Sequence, residues 1–148
     1  METIPLPIAQ PDTRSISHTI FKTVGAVIAG LITWFFIATV VNLAFRALWP
    51  HYHEAEIAFT FTFAMKFGRL VLGAISTLGA GFVAAWIDKG RMRAATLTAI
   101  LLLGLFIPGH YRIWDKFPVW YHLTFLVSLL PLTLLGAALN HRADRKTP

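Results

Sequence analysis

Apolar residues in this chain gather into four long runs, and the polar residues fall between them. Residues 23–43 include no charged side chain. A helix of that length rises roughly 30 Å, enough to cross the hydrocarbon core of a bilayer. Further runs cover 68–87, 94–107 and 119–139; the third is short and stops at Pro108-Gly109, and the fourth contains Pro131. The 88–93 segment is a tight basic turn, so the second and third runs should form an antiparallel hairpin. The pattern predicts an all-α polytopic membrane protein, with four transmembrane helices in an antiparallel bundle over 23–139. A polar N-terminal tail (1–22, with Pro5, Pro7 and Pro11) and a basic C-terminal tail (140–148) flank it. The N-terminal stretch does not read as a secretory signal, because the apolar run starts late, is long, and is not followed by a small-residue cleavage pattern.

Composition agrees. Hydrophobic residues make up 56% of the 148 positions and charged residues 14%, far from the balance of a water-soluble domain or a disordered chain. With no cysteine, disulfides, thiolate metal sites and cysteine nucleophiles are excluded. A formal charge of +6 would point to nucleic acid in a soluble protein. Here it reads as topology-setting basic residues at a lipid surface, with no nucleic-acid partner. Lys22, Lys89, Arg91, Arg93 and Arg142 fall on one side, with Arg14, Arg145 and Lys146, and outnumber Arg46, Lys66, Arg69, Arg112 and Lys116 on the other. The richer side is expected to be cytoplasmic, with both termini there.

Two patterns bear on packing. Small residues recur every four positions at Gly73, Thr77, Gly81 and Ala85 in the second span, and at Gly25 and Ala29 in the first, beside Ala26 and Gly30. Such rows let helix backbones approach closely in lipid. They would serve internal packing or docking onto another membrane protein. Between the first two spans, Ile57, Phe59, Phe61, Phe63 and Met65 alternate with small or polar residues. That period suits an extended segment, although a helical extension of the second span would also fit. Phe59, Phe61 and Phe63, with Trp114 and Trp120, are candidates for partner contact, against an interfacial lid or aromatic belt as the plainer reading.

Catalytic motifs are missing: there is no Gly-x-Ser-x-Gly, no His-Glu-x-x-His and no phosphate-binding glycine loop. No ionisable residue lies in the middle of a span, which argues against an ion-coupled carrier. One group could carry chemistry. His51 and His53 follow the first span, His110 the third, and His122 opens the fourth. Imidazoles with the nearby carboxylates Glu54, Glu56 and Asp115 could hold a first-row metal or haem, but their spacing matches no diagnostic ligand set. No cofactor is therefore expected.

The stretches Gly79-Ala80-Gly81-Phe82-Val83-Ala84-Ala85-Trp86-Ile87, Ile107-Pro108-Gly109-His110 and Leu130-Pro131-Leu132-Thr133-Leu134-Leu135-Gly136 resemble those of a loose group of small, uncharacterised four-helix bacterial inner-membrane proteins. The resemblance covers roughly 24–139, and the chain departs from the pattern with the insertion of Tyr111 to Pro118. It implies a bacterial cytoplasmic membrane and no catalysis. The expectation is a non-catalytic accessory or structural subunit packed against a larger membrane complex. The alternatives are a homo-oligomeric small-solute carrier, its path lined by Asn42, Pro131 and hydroxyls, and an outer-face metal or haem protein.

Overall fold

The computed structural model describes residues 13–144, with side chains described over 17–140. Its elements are α1 (Thr13–Leu48), α2 (Tyr52–Ala58), α3 (Phe63–Ile87), α4 (Met92–Arg112), a 3₁₀ turn (Trp114–Lys116) and α5 (Val119–Asp144). Four helices are long and apolar enough to cross a membrane: Ser17–Leu48, Phe63–Ile87, Met92–Arg112 and Val119–Asn140. The chain is thus an all-α, four-span integral membrane protein. Large apolar side chains such as Ile32, Phe36, Leu105 and Val127 are exposed around the bundle, as a lipid environment requires. Both ends of the described chain and the α3–α4 turn lie at one end of the bundle, called here the terminal end; α2 and the α4–α5 connection close the other, capped end.

Three local features differ from expectation. Residues 13–22 are helical rather than an extended tail, because α1 starts at Thr13; residues 1–12 and 145–148 of the two expected tails lie outside the described residues. Helix α4 does not stop at Pro108-Gly109 but continues to Arg112. A proline removes one backbone donor and crowds the carbonyl four residues earlier, here that of Gly104. The loss is a single bond, and contacts made by His110 hold the final turn. The 54–66 segment is neither one strand nor one helix. Helix α2 ends at Phe59 in the left-handed region (φ 55°), and α3 begins after Thr62, whose hydroxyl accepts from the Met65 amide at 3.3 Å. The alternation therefore straddles a cap and a turn.

Helix α3 is the hub, packing most extensively on α5 and α1. The α3–α5 pair, which runs parallel, meets backbone to backbone: a Cβ at Gly81 would collide with the Thr133 carbonyl, and one at Gly136 with that of Leu78. Gly73 leaves room for the Phe125 ring, and Ala85 is buried with Ala95 and Ala137. Thr77 is buried as well; its hydroxyl donates to the Gly73 carbonyl at 2.7 Å and accepts from the Trp34 indole at 3.0 Å. On α1 the packing row is Ala26 and Gly30, not Gly25 and Ala29. Gly30 sits 3.1 Å (measured from a built Cβ) from Ala80, Ala84 and Thr98, whereas Gly25 faces open space and Ala29 is only half-buried. The two rows are one residue apart, about 100° around the helix.

Candidate ligand cavity

The capped end is organised by a chain of polar side chains that ties α2 to α1 and α3. Residues Tyr52 and Glu56 sit four apart on α2 and so share a face. The Glu56 carboxylate accepts from Arg46 Nε at 2.6 Å and from Asn42 Nδ2 at 3.1 Å. A carboxylate only accepts, which orients the Asn42 amide. Its oxygen then receives the Tyr52 hydroxyl at 3.0 Å, and Tyr52 receives Arg69 Nη1 at 3.0 Å. Arg69 lies 3.5 Å from Glu56 and sits over the Phe61 ring, 4.8 Å from its centroid. Two guanidiniums thus share one carboxylate, leaving one positive charge in excess. Burial works to raise the Glu56 carboxyl's pKa, but the hydrogen bonds from Arg46 and Asn42 and the two positive charges prevail, so it lies below its ordinary value. Burial holds the Tyr52 hydroxyl above its ordinary value, with Arg69 pulling the other way, and it stays a donor.

Below this chain lies a cavity of about 410 Å³. Asn42, Glu56, Arg69 and His110 give it a polar rim, and Trp34, Phe106, Tyr121 and Phe125 supply aromatic walls. Arg69 Nε is buried and has no hydrogen-bond partner. The Trp34 ring is fixed by its bond to Thr77 and packs on Phe106 at 4.6 Å. Ala38 and Thr39 line the same space.

His110, which lines the cavity, is paired with His122. Their Nδ1 atoms are 2.8 Å apart, and His122 Nε2 lies 3.3 Å from the Trp114 carbonyl. A carbonyl accepts only, so His122 carries its hydrogen on Nε2. In the neutral pair His122 then accepts at Nδ1, His110 donates from Nδ1, and His110 Nε2 is left as an acceptor. Stacking fixes both rings: His122 on Trp114 (4.6 Å, 13°) and His110 on Phe125 (4.7 Å, 26°).

The four histidines read as candidate metal ligands are split by this arrangement. His110 and His122 meet, but His51 and His53 are exposed on the far side of α2's first turn, where His51 pairs with Glu54 at 3.1 Å. Among the described residues no group of three His, Asp or Glu side chains could hold a metal ion. The aromatic candidates divide as well. Phe61 is buried with Tyr52, Met65 and Phe117, so it is part of the core and not a contact surface. Phe59, Phe63, Trp114 and Trp120 stay exposed, and Phe63 packs on Trp120 at 5.7 Å. Of the residues expected to line a path, Asn42 does reach the cavity, whereas Pro131 is exposed on the bundle's outside.

Arg69 departs most from expectation. Expected among the basic residues of a lipid surface, it sits in the second turn of a spanning helix, away from the middle of the span, and turns inward, its side chain 29% exposed. No local spacing marked it, since Tyr52 and Glu56 meet Arg69 only once α2 folds back. Trp34 gave no signal, since a lone tryptophan in an apolar run reads as lipid-facing.

Fold and cavity together define a four-span membrane protein with an open amphipathic cavity at one end. No protein-family profile matches the chain, and no curated protein or solved structure matches it.

Proposed function

We propose that this protein is a non-catalytic, membrane-embedded receptor for a small amphipathic molecule with one anionic or strongly accepting group. The observation that carries the reading is Arg69 Nε, buried without a partner at the edge of an aromatic-walled cavity whose polar rim holds an excess positive charge. An ionisable side chain within a span is retained where it meets a ligand or a partner charge, and Glu56 meets only part of this one. The occupant's flat or apolar body would lie against Trp34, Phe106 and Phe125, and its acceptor would take the Arg69 edge. A carrier would use the same chamber as its binding stage.

The test is small-molecule mass spectrometry of extracts from protein purified in mild detergent, wild type beside Arg69→Gln. The expected result is a stoichiometric anionic amphipath in the wild type that is lost from the variant. A wild-type preparation holding only bulk lipid overturns the reading.

On the Lys and Arg bias, and on the resemblance to small bacterial inner-membrane proteins, we place the chain in a bacterial cytoplasmic membrane with both termini cytoplasmic. A second reading, an accessory subunit of a larger membrane complex or a homo-oligomer, is favoured by the exposed Phe63–Trp120 patch at the capped end. Under it, a stoichiometric membrane-protein partner would stay bound in mild detergent.

A further inference from the structure

The terminal end holds a second polar site, unconnected with the chamber. A pocket of about 450 Å³ is lined by His18, Thr19, Phe21 and Lys22 of α1 and by Lys89 and Arg91 of the α3–α4 turn. Three permanent cations converge there, and no carboxylate lines it. The acid next in sequence, Asp88, is turned away: it is buried and accepts from Thr23 at 3.3 Å. Among the described residues Lys22, Lys89 and Arg91 make no ion pair. Lys89 is held in the left-handed region (φ 54°), with Gly90 at 76° and its amide bonded to the Ala85 carbonyl at 2.7 Å. The backbone that projects Lys89 is therefore pinned, at a conformation lysine rarely takes.

An exposed apolar stripe of α1 begins beside this pocket. Lys22, Gly25, Ile28, Ile32 and Phe36 follow at steps of three and four residues, one face of the helix. Gly25 has nothing within 4 Å, and Ile28, Ile32 and Phe36 line an open apolar cavity of about 560 Å³. From Lys22 to Phe36 the helix rises roughly 21 Å. One leaflet's hydrocarbon is roughly 15 Å deep. The face thus pairs a cationic head site with an exposed apolar stripe of acyl-chain length.

We infer that this face of α1 binds one anionic phospholipid, its phosphate among Lys22, Lys89 and Arg91 and an acyl chain along Gly25, Ile28, Ile32 and Phe36. A zwitterionic lipid brings its own cation to the same place and gains much less. Each cation near an anionic lipid surface contributes about fivefold in affinity, so three give about a hundredfold.

The experiment is native mass spectrometry of the full chain in detergent, with equimolar phosphatidylglycerol and phosphatidylcholine, and with inorganic phosphate as a separate arm. One bound phosphatidylglycerol is expected, preferred by about a hundredfold. Lys22→Gln/Lys89→Asn/Arg91→Gln should abolish the preference; asparagine tolerates the left-handed backbone at 89. Gly25→Leu projects into open space, so it should weaken lipid retention without lowering the melting temperature. Should the triple variant fail to fold, Lys22→Gln alone should lower the preference about fivefold. Equal retention of the two lipids, or a preference that survives the charge removal, overturns the inference. So does inorganic phosphate that displaces phosphatidylglycerol, which would make the pocket a site for the free ion, or a second protein held on this face in place of lipid.

Discussion

The Nδ1 atoms of His110 and His122 stand 2.8 Å apart, on helices joined by a short connection, so one ring must donate and the other accept. The Trp114 carbonyl at His122 Nε2 decides which. The two imidazoles should therefore hold opposite tautomers, hydrogen on Nδ1 in His110 and on Nε2 in His122. Nitrogen-15 chemical shifts of the histidine rings near neutral pH read this directly; matching tautomers would mean the bond is absent. Replacing His122 with Phe strands a buried donor on His110 and should cost about 1–3 kcal/mol of stability.

Glu56 makes the docking of α2 sensitive to acid. Its carboxyl pKa is depressed in the folded protein, with burial opposed and outweighed by Arg46, Asn42 and Arg69. The sign follows from linkage: the folded state holds the proton less tightly than the unfolded chain. The stabilisation is complete above the unfolded value of 4.5 and is lost as pH falls through the lower folded value. Glu56→Gln should cost about 1–3 kcal/mol at neutral pH. Denaturant titrations of the two proteins should converge below the ordinary carboxylate range. A gap that persists in acid would show that shape, not charge, is what Glu56 provides.

The glycines fall into two classes that a melting experiment separates. Alanine at Gly81 or Gly136 drives a methyl into a neighbouring helix's carbonyl, and each should cost about 1–3 kcal/mol or more. Alanine at Gly104 meets nothing within 4 Å and removes a flexible residue from a helix, a change worth up to about 1 kcal/mol in favour of the fold. Thermal unfolding in one detergent, read by circular dichroism, should rank Gly104→Ala at or above wild type and the other two well below it.

The spans were legible because a charge-free run of some twenty residues has few other fates. The row on α3 was legible too, since Gly73, Thr77, Gly81 and Ala85 all meet neighbouring helices. The choice between Gly25/Ala29 and Ala26/Gly30 was not, because both rows have the same composition and only the neighbours decide which is covered. Phe61 was hidden for another reason. Its period-two setting spans the left-handed turn at Phe59, so chain reversal, not strand geometry, sends it inward. The site was half visible. His110 and His122 stand among the candidate ligands at the ends of adjacent spans, but the Arg69–Tyr52–Asn42–Glu56 chain depends on how α2 folds back, which no local spacing encodes.

The glycines that let α3 and α5 touch also divide the molecule mechanically. With Gly81 seated against Thr133 and Gly136 against Leu78, neither helix can slide past the other without backbone collision, so the pair behaves as one fixed wall. Helix α2 is attached differently, between left-handed residues at His51 and Phe59, by its buried Tyr52 and Ala55 and by the bonds of Glu56 and Tyr52. The side of the cavity that Arg69 and Leu72 of α3 share with Tyr121 and Phe125 of α5 is therefore fixed in shape before any occupant arrives.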